Sequence, residues 1–212
     1  MPVPYLPVTN GVVKNGVGKK LKRVGVLALQ GDFDAHAKAI TRAGGLAVEV
    51  RTAEQLRSVD GLVIPGGEST TMLKLLNFMD LVEPLAEFAQ TKPIFGTCAG
   101  VILLATNVLN PSQQSFAALD LTVERNAYGR QIDSRVANIS PGPEFQKRAG
   151  EGDVEAVFIR APIIRRVGPG VTVLAEYAGD PVLVEQGRHL AATFHPELTD
   201  DVRVHKLFLS KI

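Results

Sequence analysis

The 212-residue sequence predicts an α/β fold in which a mostly parallel sheet is covered by helices. Three observations carry this. From Val24 onward, short apolar runs alternate with stretches of helical period. The first runs are continuously apolar, as in strands buried on both faces. Apolar residues make up 45% and charged residues 21% of the chain, close to the globular average and enough for a core.

The elements follow in order. Val24 to Leu29 reads as the first strand, and Asp32 caps a helix over Phe33 to Ala43 that Gly44 and Gly45 end. Leu46 to Val50 and Gly61 to Pro65 are the next strands. Glu68, Ser69 and Thr70 open a helix containing Met72, Leu73, Leu75 and Leu76. Leu81 to Gln90 forms another, with Pro84 tolerated in its first turn. Pro93 to Thr97 is a fourth strand, and Ala99 to Leu109 is expected to be one apolar helix. Further strands are predicted at Leu119 to Val123, Val154 to Ile159, Val171 to Tyr177, Pro181 to Glu185 and His189 to Phe194. Residues 140 to 152 read as a surface connection, and Asp201 caps a last helix over Val202 to Ser210.

Several classes are excluded. The run Val101 to Leu109, interrupted by Thr106 and Asn107, falls well short of the roughly 18 residues of a membrane helix. The single cysteine cannot form an internal disulfide, which fits a reducing cytoplasm. Net charge is +1, so nothing marks nucleic acid as a partner. Lys14, Lys19, Lys20, Lys22 and Arg23 stand near the start without an acid, leaving 18 basic against 22 acidic residues beyond them. Residues 1–22 hold three prolines and three glycines and neither structural period. They read as a flexible extension, a cloning remnant or a mis-assigned start, ahead of one domain over 23–212.

Cys98 is the first candidate for chemistry. A lone cysteine is either a small buried hydrophobe or a nucleophile. Its setting, Gly96-Thr97-Cys98-Ala99-Gly100 between strand and helix, is that of a nucleophile elbow. A helix N-terminus would favour the thiolate, and the Ala99 N–H would face an oxyanion. Pro65-Gly66-Gly67-Glu68-Ser69 ends the neighbouring strand and supplies the second half of an oxyanion hole. A phosphate loop is rejected there, because the run lacks the Gly-Lys-Ser/Thr ending and Glu68 would repel phosphate. His195-Pro196-Glu197 follows a strand; a carboxylate two residues from an imidazole can select its tautomer and support its cation. His36, His189 and His205 are taken as structural. Arg125 and Arg160 follow strands and can clamp a carboxylate; Arg130 and Arg135 read as surface ion-pair residues.

Six motifs in order carry a resemblance. They are Gln30-Gly31, Pro-Gly-Gly-Glu-Ser-Thr at 65–70, Gly-Thr-Cys-Ala-Gly at 96–100, Glu-Arg-Asn-Ala-Tyr-Gly-Arg-Gln at 124–131, Phe-Ile-Arg-Ala-Pro at 158–162 and Phe-His-Pro-Glu-Leu-Thr at 194–199. The chain from Arg23 onward resembles the glutaminase-subunit family of pyridoxal 5'-phosphate synthase, within the class I glutamine amidotransferases. Val101 departs from the glutamine common at that position in other class I members. The resemblance implies a flavodoxin-like three-layer sandwich with a mixed, mostly parallel sheet. It also implies L-glutamine as substrate, Cys98, His195 and Glu197 as catalytic residues, and Gly67 and Ala99 as the oxyanion hole. Gly67, Glu68, Ser69, Arg125, Ile159 and Arg160 would bind substrate. Gln30 and Gly31 would meet a separate synthase subunit that receives ammonia, and no cofactor or metal is needed. A free-standing cysteine hydrolase or peptidase, or a non-catalytic regulator on the same fold, stands as the alternative.

Overall fold

The computed structural model describes residues 21–126 and 134–212. The extension up to residue 20 and the Ala127 to Gln131 part of the fourth motif lie outside the described residues. Lys22 already belongs to the domain, its Nζ donating to the carbonyls of Leu209 at 3.0 Å and Ile212 at 2.8 Å.

The first half forms as the apolar runs predict. Strands β1 (Arg23–Leu27), β2 (Leu46–Val50), β3 (Gly61–Ile64) and β4 (Ile94–Thr97) alternate with helices α1 (Phe33–Arg42), α2 (Ala53–Arg57), α3 (Ser69–Phe78) and α4 (Val82–Thr91). Asp32 caps α1 by accepting from the Ala35 N–H at 3.1 Å. Gly44 takes φ +96° just past the end of α1, a conformation that favours glycine.

Helix α5 (Ala99–Leu104) is shorter than expected. Its C-cap, Ala105, turns extended with φ −65° and ψ 152°, and Ala105–Leu109 becomes strand β5. The cause is the pattern within the run: Ala105 and Val108 are buried while Thr106 and Asn107 are exposed, which a strand against β6 (Leu119–Glu124) satisfies. Strands β7 (Ser134–Ile139) and β9 (Ile163–Val167) and helix α2 were not expected. Helix α6 (Pro143–Ala149) replaces the surface connection, with Gly142 as N-cap, Pro143 in the first turn and Gly150 at its C-cap. The remaining strands are β8 (Val154–Ile159), β10 (Thr172–Tyr177), β11 (Asp180–Gln186) and β12 (His189–Ala192), and α7 (Arg203–Leu209) closes the chain.

The seven-stranded sheet runs β10-β11-β12-β4-β3-β1-β2. Neighbours from β12 to β2 pair parallel, while β10, β11 and β12 pair antiparallel. Alternate side chains divide between two faces. Val24, Val26, Val63, Phe95, Leu190 and Ala192 pack with Ile40 of α1, Val204, Leu207 and Phe208 of α7 and the β7–β8 pair. Leu27, Leu62, Ile64, Ile94 and Ala191 pack against α2, α3, α4 and α5. The result is three layers, helix, sheet and helix, with the C-terminal ends of β1, β3, β4 and β12 on one edge.

Candidate active site

Cys98 sits at the turn between β4 and α5 with φ +48° and ψ −104°, a strained conformation for a non-glycine residue. The flanking glycines are needed for close approach. A Cβ on Gly96 would lie 2.7 Å from the Gly100 carbonyl, and one on Gly100 would lie 2.4 Å from the Ile64 carbonyl. The elbow is pinned to the next strand by the Cys98 N–H, which donates to Ala192 O at 2.9 Å. Ala99 opens α5, so its N–H has no partner within the helix. With α5 only six residues long, the helix dipole gives the sulfur less support than a helix reaching Leu109 would. Adjacent charge takes over that role.

That charge comes from His195, three residues past the end of β12. Its backbone N–H donates to Val157 O at 2.8 Å, and Pro196–Leu198 forms a short 3₁₀ turn that brings Glu197 back under the ring. His195 Nδ1 lies 2.7 Å from Glu197 Oε1, and Glu197 is 4% exposed. Burial works against the His195 cation. Hydrogen bonds to Cys98 and Glu197, and their negative charge, outweigh it and push His195 up to about 10. This balance favours the imidazolium form of His195 beside the cysteine.

Gly66 lies against both the cysteine and the ring: a Cβ there would be 2.4 Å from His195 Cε1 and 3.2 Å from Cys98 Cβ. Gly31, at φ +79°, meets the same loop from β1, since its Cβ would fall 2.0 Å from Gly66 O. Gln30 donates its side-chain amide to Glu68 O at 2.7 Å. Glu68 caps α3. Burial would raise its carboxyl, but the N–H groups of Thr70 and Thr71 and the Thr71 hydroxyl hold it down to about 2. Arg125 donates to Thr70 Oγ1 at 2.9 Å and to Glu68 Oε1 at 3.2 Å, while its buried Nε has no partner.

These parts enclose a cleft of about 270 Å³. Of the residues singled out from sequence, Gly31, Gly66, Gly67, Glu68, Ser69, Cys98, Arg125, Ile159, Arg160 and His195 line it. Glu197 stands behind His195, and Gln30 reaches the loop through its amide. Asp32, read as a helix cap, Asn126 and Pro162, members of quoted motifs, and Ile102, two residues past Gly100, also line the cleft without having been given a site role. Arg130 is outside the described residues, and Arg135 stacks over Phe158 and Tyr177. His36, assigned a structural role from sequence, lies with Nε2 3.3 Å from Glu197 Oε2. Among the described residues no cluster of His, Cys, Asp and Glu could hold a metal ion.

Elbow cysteine, buried histidine and carboxylate sit together at one edge of a mostly parallel sheet covered by helices, an α/β protein with the parts of a nucleophile, base and orienter. The chain belongs to the SNO glutamine amidotransferase family, which it matches over residues 26–212. It is 64% identical over 192 residues to pyridoxal 5'-phosphate synthase subunit PdxT of Solibacter usitatus (strain Ellin6076), covering 91% of this chain and all of that protein. It is 56% identical to the PdxT of Koribacter versatilis (strain Ellin345), covering 90% of this chain and 95% of that one. A crystal structure of a glutamine amidotransferase superposes with a TM-score of 0.80 at 45% identity, covering 89% of this chain and 97% of the other. The PurLQS structure from Thermotoga maritima shares the fold at 14% identity, with a TM-score of 0.67 over 90% of this chain and 98% of that one.

Proposed function

We propose that this chain is a glutaminase that hydrolyses L-glutamine to glutamate and ammonia and passes the ammonia to a synthase subunit making pyridoxal 5'-phosphate. One observation carries the reading: Cys98 and His195 both stand against Gly66 in the cleft, with Glu197 Oε1 2.7 Å from His195 Nδ1. PdxT proteins, named as subunits of that synthase, are 64% and 56% identical to it.

The Cys98 thiolate attacks the side-chain carbonyl carbon of glutamine. The oxygen gains the negative charge, and the N–H groups of Ala99 and Gly67 receive it. His195, held as the cation, gives its proton to the departing nitrogen, and ammonia leaves a γ-glutamyl thioester. The now neutral ring takes a proton from water, hydroxide attacks the thioester, and glutamate departs as the thiolate re-forms. Glu197 keeps the ring turned and supports its charge. Arg125, with its unpartnered Nε, and Glu68, Ser69, Ile159 and Arg160 bind the amino-acid end of the substrate. The chain's residues carry every step, so no cofactor is assigned. The reduced cysteine suits a cytoplasmic enzyme.

Gln30 and Gly31 are assigned to partner contact, because they border the cleft and touch the loop that carries Gly67. The deciding test is ammonia release from glutamine with and without the matching synthase subunit. Release with glutamate in equal amount is expected; no glutamine hydrolysis even in the complex would overturn the assignment.

A further inference from the structure

Behind Glu197 lies a buried polar chain that the reaction above does not use. His36 on α1 is fully buried and His205 on α7 is 1% exposed. His36 Nδ1 lies 3.2 Å from His205 Nε2. His36 Nε2 lies 3.0 Å from Thr97 Oγ1 on β4 and 3.3 Å from Glu197 Oε2. Two atoms of this His36–His205–Glu197 cluster have no hydrogen-bond partner of their own: Glu197 Oε2 and His205 Nδ1.

The second of these fixes the protons of the whole chain. A proton on His205 Nδ1 would leave a buried N–H without an acceptor, the costlier kind of orphan; a bare lone pair is better tolerated. His205 therefore carries its proton on Nε2 and donates to His36 Nδ1. His36, accepting there, must carry its own proton on Nε2, the edge facing Thr97 and Glu197. Both rings are neutral. Burial first, and then the charge His205 and His195 carry when protonated, hold His36 well below its usual value. Burial and Arg42, opposed by Asp201, hold His205 at about 4.

We propose that His36 is a positioning residue: its Nε2–H donates to Thr97 Oγ1 while the same edge of the ring stands 3.3 Å from Glu197 Oε2, close enough to fix by charge the carboxylate that orients His195. No hydrogen bond reaches Oε2 among the described residues, so the positive edge of the neutral ring is what faces the oxygen that His195 leaves bare. His205 acts one step further back, by setting the His36 tautomer. This rests on the catalytic roles proposed above.

The test has two independent arms on the full chain. In the wild-type protein, long-range proton–nitrogen NMR near neutral pH should show His36 and His205 protonated on Nε2; a His36 ring protonated on Nδ1 overturns the proposal without reference to activity. In the second arm, glutamine hydrolysis is measured with the synthase subunit for His36→Leu and His36→Gln. His36→Leu should lower kcat by about 10- to 100-fold with KM within about twofold. Its pH profile of kcat/KM should shift from that of wild type, because the carboxylate that supports the His195 cation is no longer held in place. Alkylation of Cys98 against pH, which needs no turnover, should move the same way. His36→Gln, whose amide can replace Nε2–H, should recover to within about threefold of wild type. A folded His36→Leu with wild-type kcat and an unmoved alkylation profile sinks the proposal, and if that variant does not fold, the NMR arm decides. A wild-type enzyme that never hydrolyses glutamine would instead sink the function, leaving the tautomers and the alkylation profile still readable.

Discussion

Glu197 has a histidine at each oxygen, and the two sit in opposite electrostatic worlds. His195, at Oε1, has a side chain 11% exposed and is pushed up to about 10. His36, near Oε2, is fully buried and held well below its usual value. Burial opposes the cation in both. Both face the Glu197 carboxylate; the difference is that His195 hydrogen-bonds it and also has the Cys98 sulfur, while His36 has two further histidines beside it. A buried imidazole thus becomes a charged reagent or a neutral strut according to the sign of its neighbours.

Removing the front of this arrangement should have the largest effect. Cys98→Ser should abolish glutamine hydrolysis with little change in melting temperature, since one buried atom is exchanged for another of similar size; substantial residual turnover would dissolve the front-side assignment. His195→Asn should cost roughly 10²–10⁴-fold in rate. Glu197→Gln should be milder, because the imidazole survives, and a Glu197→Gln more damaged than His195→Asn would invert the two roles. Gly66→Ala comes next. Its methyl would meet His195 Cε1 at 2.4 Å, on a ring tied to Glu197, so kcat should fall on the order of 10²-fold from misplacement alone. Wild-type kcat in the Gly66→Ala enzyme would show that the ring is not held in place.

The back should reveal itself in acid stability. His36, His189 and His205 are depressed in the folded protein, the latter two to about 4, whereas in the unfolded chain they titrate near 6.5. As pH falls below 6.5 the unfolded state takes up the extra protons, so stability drops with acid through the window down to about 4. The slope is about 1.4 kcal/mol per pH unit for each histidine protonated on unfolding. Denaturant unfolding measured between pH 7 and 4 checks this. A flat profile would mean that the back histidines are not neutral.

Much of the front was legible in the sequence, because its geometry depends on local signals: glycines two residues either side of Cys98, and a proline between His195 and Glu197. The back was not. His36 and His205 are separated by 169 residues, and only the packing of α1 against α7 over the sheet brings them together. The same contrast holds for the fold. Continuously apolar β1, β3 and β4 declare themselves, while β9 hides behind the exposed Arg165 and Arg166. Helix α6 escapes a sequence reading because Gly142, Pro143 and Gly150, which bound it, are also the commonest residues of loops.

The pairing of β4 with β12 has a consequence for anyone who would transplant this chemistry. Leu190, Ala191 and Ala192 stand beside Phe95, Gly96 and Thr97, and the Cys98 N–H closes the ladder on Ala192. The two catalytic side chains therefore extend from adjacent strands about 4.8 Å apart, Cys98 directly and His195 three residues on, which sets the gauge from which their turns start. Loops on the rim can be exchanged without resetting that gauge. The portable unit is a pair of neighbouring strands with their turns attached, and three side chains copied onto other supports would lose the ruler that spaces them.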